Sequence, residues 1–227
     1  MHRYTSAMPS SASAVVAHVA IVAVPVVAAI VLHEVAHGAV AYVCGDPTAA
    51  RHGRLTLNPI PHVDPVGTLL LPGILLLAPL IFGTPTVVFG WARPVPVNFA
   101  RLRRPRRDAV LVALAGPGTN LALATASALV LRAVARIPEP GLVATVAGML
   151  AIASVSINCV LAVFNLLPVP PLDGGRVLMA LLPERVARAL VPVERIALVV
   201  LMLVVMQGHV VSRLVQPVIR FFFRLAA

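Results

Sequence analysis

Two histidines and a glutamate, one helical turn apart, are the residues of this sequence best suited to chemistry. His33 and His37 are four positions apart, so on a helix they lie on the same face. Two imidazoles placed in this way can bind one metal ion at about 2.0–2.1 Å. Glu34 follows the first histidine, where its carboxylate can take a proton from a water molecule at the metal, as in the H-E-x-x-H arrangement of zinc hydrolases. The spacing therefore predicts a hydrolytic metal site.

These three polar residues stand in the segment IVLHEVAHGAV, residues 30–40, which is otherwise apolar. An ionisable side chain at the centre of a membrane helix costs about 2.5–3.5 kcal/mol on insertion scales. The alternative interpretation is a chance cluster of buried polar residues that bond to one another. Such a cluster would have no opposite charge to offset this cost. A bound cation would offset it, so the apolar setting favours metal binding.

A third protein ligand is expected, because catalytic zinc ions usually have three and keep one position open. Asp173 is the preferred candidate. It lies in the Pro- and Gly-rich break FNLLPVPPLDGGRVL, and such a break at membrane depth is tolerated only where it is buried in protein or lines a cavity. His62 and Asp64, in the loop NPIPHVDPVG, are the alternatives. One Zn²⁺ ion with Glu34 and Asp173 is electrically neutral, which suits a low-dielectric site.

The composition indicates an integral membrane protein. Of the 227 residues, 59% are hydrophobic and only 11% are charged, and the mean hydropathy is +0.97, whereas about a quarter of the residues in a soluble domain are charged. The net charge of +10 comes from arginine alone. The arginines lie between apolar runs, where lipid headgroups attract them, and they are not interleaved with aromatic residues. The lipid bilayer, and not nucleic acid, is therefore the predicted partner.

Apolar runs of about 20 residues, enough to cross a bilayer, predict an all-α polytopic membrane protein with five to six transmembrane helices in one domain, residues 1–227. The helix over residues 14–43 carries the His-Glu-His cluster, and core spans follow at 108–135 and 141–167. The run at 67–82 contains prolines and predicts a broken or tilted helix. The other predicted segments are a Leu-Asp-Gly segment at 172–182, a C-terminal span at 191–206 and an interfacial tail at 208–227.

A re-entrant or extended region is predicted for residues 51–99, with a short membrane-associated β segment near residues 86–97. Pro94 and Pro96 fall on one edge of such a strand, which suits an edge strand because proline lacks an amide proton. The opposite edge keeps the amides of Arg93, Val95 and Val97. An unwound peptide could add to that edge by backbone hydrogen bonding.

Four motifs, in this order, resemble the site-2 protease family of intramembrane zinc metalloproteases. They are the HExxH motif at 33–37, GPxxN at 116–120, NxxP at 165–168 and LDG at 172–174. The resemblance extends from residue 14 to about residue 182, and the sequence is similar to a compact bacterial subgroup of the family without a PDZ or CBS domain.

The resemblance implies a set of roles at the site. His33, His37 and Asp173 would bind one catalytic Zn²⁺ ion, and Glu34 would be the general base. Asn165 would contact the backbone of the substrate near the metal.

The resemblance also implies further contacts with the substrate. The stretch that includes Val95 and Val97 is similar to the re-entrant β segment of the family, which pairs with an unwound substrate. Asn120 is another candidate substrate contact, although it could instead join neighbouring helices by a hydrogen bond. His62 and Asp64 remain possible additional site residues or loop caps.

The expected activity is hydrolysis of peptide bonds in or near transmembrane segments of membrane protein substrates. A non-catalytic membrane scaffold or a metal carrier is the alternative. If the arginines at 101–107 face the cytoplasm, the metal site lies nearer the cytoplasmic side, and the composition suggests a bacterial inner membrane. The sequence predicts no particular substrate or oligomeric state.

Overall fold

The computed structural model of the protein describes residues 12–70, 73–74, 90–193, 196–197, 200–201 and 209–227. All regular structure in these residues is helical. The α-helices are α1 (Ala12–Val43), α2 (Thr48–Arg51), α3 (Pro105–Ala135), α4 (Leu142–Asn165), α5 (Asp173–Leu181), α6 (Glu184–Leu190) and α7 (His209–Ala226). Single turns of other helix types occur at Ile60–His62, Pro65–Leu70, Phe99–Arg101 and Val191–Val193.

Three of these helices, α1 over Val19–Val43, α3 and α4, are long and apolar enough to cross a membrane. Many of the side chains that they turn outward are apolar, among them Leu129 and Val130 on α3 and Val143 on α4. Such surfaces suit contact with lipid and not with water. The protein is an integral membrane protein.

The three long helices pack against one another in all three pairs. Small residues lie buried where they meet, including Ala29 on α1, Ala113 and Gly116 on α3, and Ala151 on α4. Small side chains let helix backbones approach closely, which is the main route to tight packing in a membrane, where burying apolar surface gives little driving force. Helix α3 is central, because it also contacts α5 and α7.

The connection after α1 is fixed by a turn at residues 43–47. Gly45 has φ +110°, a left-handed conformation that glycine adopts without steric cost, and Arg103 donates its backbone N–H to the Cys44 carbonyl over 3.0 Å. The end of α1 and the approach to α3 therefore lie together. Asp46 is fully buried beside them and accepts hydrogen bonds from the Thr48 hydroxyl and from the backbone N–H groups of Thr48 and Asn98.

Residues 90–98, called the 90–98 segment below, are irregular and form no strand ladder. The predicted edge of open amides is wrong in this part of the chain. Arg93 donates its N–H to the His62 carbonyl over 2.9 Å, and Val95 donates its N–H to Glu34 Oε2 over 2.7 Å. The physical reason at Val95, which is buried, is that a buried N–H group must find an acceptor. The rest of the predicted β segment, residues 86–89, lies outside the described residues.

After α4 a turn at residues 166–172 leads into α5, which packs on α3. The predicted interfacial tail forms α7, a helix with exposed arginines at 213, 220 and 224. Its opposite face is buried: Phe222 and Ala226 pack with Val155 and Cys159 of α4 and with alanines of α3. This segment therefore contributes to the helical core.

The predicted helices at 14–43, 108–135 and 141–167 agree with α1, α3 and α4 to within a few residues at each end, and the predicted Leu-Asp-Gly segment at 172–182 contains α5. The predicted spans at 67–82 and 191–206 lie largely outside the described residues. The number of five to six spans stays a prediction.

The hydrogen bonds to Asp46 predict an acid-sensitive contribution to stability. Burial raises the pKa of Asp46, but the hydrogen bonds from Thr48 and Asn98, with the attraction of Arg101, outweigh it and hold this pKa below its usual range. A lowered pKa in the folded state stabilises the protein above pH of about 4, and this contribution is lost as the pH falls through the folded-state pKa. Asp46→Asn should lower the free energy of unfolding at pH 7 by about 1–3 kcal/mol.

Thermal unfolding in detergent, measured from pH 7 down to pH 3, checks this expectation. The difference between the wild type and Asp46→Asn should shrink towards the acid end. Glu139→Gln, at an exposed position in the turn before α4, is the control and should show little difference at any pH. A constant wild-type advantage over Asp46→Asn across the range would contradict the assignment.

Candidate metal site

Three ligand atoms from two distant parts of the chain meet at the inner face of α1. His33 Nε2 and His37 Nε2 are 3.0 Å apart, and Asp173 Oδ2, from the first residue of α5, lies 3.3 Å and 3.2 Å from them. All three residues are buried. Among the described residues this is the one group of three or more His, Cys, Asp or Glu side chains that could hold a metal ion.

The geometry and the donor set fit a zinc ion. Ligands placed tetrahedrally about 2.0–2.1 Å from zinc lie about 3.3–3.4 Å from one another, close to the observed separations. His37 Nδ1 is 2.7 Å from the Val112 carbonyl, which can only accept, so the proton is on Nδ1 and Nε2 keeps its lone pair. Asp173 Oδ2 is buried without a hydrogen-bond partner. Electron-pair donors that face one another in this way need a cation between them.

Gly116 on α3 has no side chain, and this leaves room for the two imidazoles. A Cβ atom at Gly116 would collide with His37 Nε2 and would stand 2.5–2.6 Å from His33 Cε1 and Nε2. Gly116 therefore allows α3 to pass directly behind the ligand atoms. This contact gives the first glycine of the GPxxN motif a steric role at the site.

Glu34 directly follows His33 on α1, and its carboxylate is not a member of the ligand group. Its Oε2 accepts the N–H of Val95, which fixes the carboxylate against the 90–98 segment. Arg54 holds the same segment, because its guanidinium donates to the Arg93 carbonyl over 2.6 Å. The side chain that the motif predicts as proton acceptor is thus oriented by backbone from another region of the chain.

The alternative third ligands, His62 and Asp64, do not join the group of three ligands. His62 is buried, and its Nε2 is 3.0 Å from the Thr56 carbonyl. Asp64 accepts the backbone N–H groups of Val66 and Gly67 and thereby caps a turn.

The asparagines predicted to contact substrate lie in two different settings. Asn165, in the last turn of α4, donates its Nδ2 to the Leu161 carbonyl over 2.9 Å. Asn120 is fully buried, and its Oδ1 is 2.6 Å from His33 Nδ1. Contact with substrate remains a prediction for Asn165, Asn120, Val95 and Val97.

Two groups at the site were missed by sequence reasoning. Asn158, buried on α4, receives the Nδ2 of Asn120 on its Oδ1 over 2.8 Å. An amide in the middle of an apolar span was a visible sign of such a role. The Val112 carbonyl, which orients His37, could not be predicted from the sequence, because every residue has a backbone carbonyl.

Comparison with known proteins places the chain among metalloproteases. A sequence model of peptidase family M50 matches residues 135–207. Among the relatives named putative zinc metalloprotease are YwhC of Bacillus subtilis, 42% identical over 171 residues, and Rip2 of Mycobacterium tuberculosis (strain H37Rv), 36% identical over 171 residues. The matched region covers 74% of this chain and 72% of YwhC, and 75% of this chain and 61% of Rip2. No solved structure matches the chain at a significant level.

The close approach of α3 gives a prediction with a matched control on the same helix. Gly116→Ala should displace both histidines and lower the affinity for zinc by at least about 10-fold. Gly118→Ala places its Cβ where no described heavy atom lies within 4 Å, so this variant should bind zinc like the wild type. Chelator competition on the purified proteins in detergent measures both affinities. Equal affinity of the two variants would show that α3 does not confine the ligands.

Proposed function

Since the chain belongs to peptidase family M50, the site-2 protease family, we propose that it is a zinc endopeptidase that cuts peptide bonds in or near the transmembrane segments of other membrane proteins. The observation that carries this proposal is the position of the ligand group. His33, His37 and Asp173 converge at the turn that also carries Glu34, on a helix of membrane-spanning length and composition. Substrates of this class suit a site that is embedded between apolar helices.

The residues of the site divide the chemistry between them. Bound to His33, His37 and Asp173, a single Zn²⁺ ion would supply Lewis-acid polarisation of the scissile carbonyl and a more acidic water. Glu34 takes the proton of the attacking water and passes it to the leaving amine. Its Oε2 is engaged by Val95, which leaves Oε1 to act as the proton acceptor. Asn165 holds the substrate backbone or stabilises the developing oxyanion.

Substrate recognition involves the 90–98 segment. A peptide bond in a transmembrane helix is shielded by its own hydrogen bonds, so the substrate must unwind locally before it is cut. The unwound backbone presents carbonyl groups that can replace Glu34 as the acceptor of the Val95 N–H. This exchange would pair the substrate with the segment through Val95 and Val97 and release both oxygens of the Glu34 carboxylate. The base then becomes fully available only when a substrate is in place.

The active site is proposed to lie nearer the cytoplasmic side of a bacterial inner membrane. The end of α1 lies beside the residues that enter α3, where Arg103 bonds to Cys44. Exposed arginines crowd this end at positions 101, 103, 104, 106 and 107. An excess of arginine on short connections marks the cytoplasmic side. His37 lies six residues before the end of α1, so the metal site is nearer this side. Regulated intramembrane proteolysis is the process that such an enzyme would serve.

Glu34→Gln separates cleavage from metal binding. Glutamine can still accept the Val95 N–H through its amide oxygen but cannot take a proton, so cleavage should fall by about 10²–10⁴-fold while zinc content stays at one ion per chain. His33→Ala should lose both cleavage and zinc. The measurements are the product size after co-expression with candidate single-span substrates, and elemental analysis of the purified protein.

Glu184→Gln is the control for this pair, since Glu184 is exposed on α6; it should cleave and bind zinc normally. Wild-type cleavage by Glu34→Gln would refute the mechanism. Metal uptake into vesicles by a protein that cleaves no substrate would favour the metal carrier, and zinc binding with neither activity would favour the non-catalytic scaffold.

A further inference from the structure

A chain of hydrogen bonds connects the backbone of α4 to a metal ligand on α1. Asn158 donates its Nδ2 to the Ser154 carbonyl over 2.9 Å, and Asn120 on α3 donates its Nδ2 to Asn158 Oδ1 over 2.8 Å. Asn120 Oδ1 in turn lies 2.6 Å from His33 Nδ1. Both asparagines are buried, with relative exposures of 0% for Asn120 and 1% for Asn158. Three helices are thus joined by one polar path inside an apolar core.

The Ser154 carbonyl fixes which group donates and which accepts in each of these hydrogen bonds. The Ser154 carbonyl can only accept, so the amide nitrogen of Asn158 must face it and the amide oxygen must face α3. Asn120 must then turn its own nitrogen towards Asn158 and its oxygen towards His33. An oxygen at this position requires a proton on His33 Nδ1, and a neutral imidazole then carries its lone pair on Nε2. Nε2 is the atom that faces His37 and Asp173.

The two metal-ligating histidines therefore obtain the same tautomer by different routes. His37 donates directly to the Val112 carbonyl, which cannot be reversed. His33 meets a side-chain amide, and an amide can rotate by 180° and present its nitrogen instead. A reversed Asn120 would place a donor against Nδ1 and favour a proton on Nε2, where it would block coordination. Something must prevent that reversal.

We propose that Asn158 is a positioning residue that fixes the orientation of Asn120 and, through it, the tautomer of His33 that binds metal. The proposal rests on the metal site of the proposed function. It differs from a general helix–helix contact, because a contact that only joins helices would work in either direction of the amides. The Ala29 carbonyl, 3.4 Å from Asn120 Nδ2, gives weaker support to the same orientation, so removal of Asn158 should reduce metal binding without abolishing it.

Asn158→Leu tests the proposal, because leucine is similar in size and removes all three side-chain hydrogen bonds of Asn158, to Asn120 and to the carbonyl and hydroxyl of Ser154. Zinc affinity of the purified full-length protein, measured by chelator competition, should fall by about 10–100-fold, as for other groups that orient metal ligands. Asn158→Asp should recover most of the affinity. A buried carboxyl stays protonated, so its hydroxyl can donate to Ser154 and its other oxygen can accept from Asn120. Ser156→Ala, on the same helix but bonded only to the Ile152 carbonyl, is the matched control.

The His33 tautomer is read directly from ¹⁵N NMR of the metal-free protein with labelled histidine. The wild type, Asn158→Asp and Ser156→Ala should show His33 protonated on Nδ1, and Asn158→Leu should show a mixture of both tautomers. Unchanged affinity in Asn158→Leu, or a wild-type His33 protonated on Nε2, would overturn the proposal. If the leucine variant does not fold, a wild-type His33 protonated on Nε2 still overturns the proposal, and so does a folded Asn158→Asp whose zinc affinity falls as far as that of a variant without a metal ligand. A wild type that binds no zinc at all would instead refute the proposed function.

Discussion

The structure depends on three electron-pair donors that face one another inside an apolar helix bundle. His33 Nε2, His37 Nε2 and Asp173 Oδ2 lie 3.0–3.3 Å apart. In water such an arrangement would be separated by solvent, but in a medium of low dielectric constant its mutual repulsion and loss of hydration are expensive. A cation removes both costs. A bound metal ion would therefore stabilise the site. The residues around it hold the three ligand atoms in their positions.

Helix α3 contributes no metal ligand but shapes the site more than any other element. The Val112 carbonyl orients His37, Asn120 contacts His33, and the missing side chain of Gly116 lets the helix approach both imidazoles. These contacts lie on successive turns of one helix face, at positions 112, 116 and 120. The spacing of four explains why a GPxxN motif on the intervening span accompanies an HExxH motif on the first. Residues of the GPxxN motif pack against the histidines of the HExxH motif.

The 90–98 segment is bonded to Glu34, the proposed base, and is the proposed binding surface for a substrate. Its amides at Arg93 and Val95 bond to the His62 carbonyl and to Glu34, and Asn98 bonds to buried Asp46. The segment is thus held at several points by backbone hydrogen bonds. Such bonds can be exchanged for equivalent bonds to another extended chain with little net change in free energy. The proposed function, cleavage of an unwound helix, would need a binding surface of this kind close to Glu34.

The sequence by itself predicted the long helices and the residues of the candidate metal site. Apolar runs bounded by glycine, proline and arginine predicted α1, α3 and α4, because membrane insertion depends on composition over about 20 residues. The spacing of His33 and His37 is local geometry, and so it could be read directly from the sequence. Asp173 is favoured over His62 and Asp64 by the Pro- and Gly-rich break in which it lies.

Tertiary structure alone decided which groups surround the metal ligands. The Val112 carbonyl, Asn158 and the Val95 amide act through contacts between residues 38 to 75 positions apart in the chain, and no local pattern encodes such contacts. The prediction of an open strand edge was wrong for the same reason. Proline positions show which amides are present, but only packing shows that Glu34 and His62 lie near enough to accept them. A sequence states which groups are available, and the packing of helices decides which of them meet.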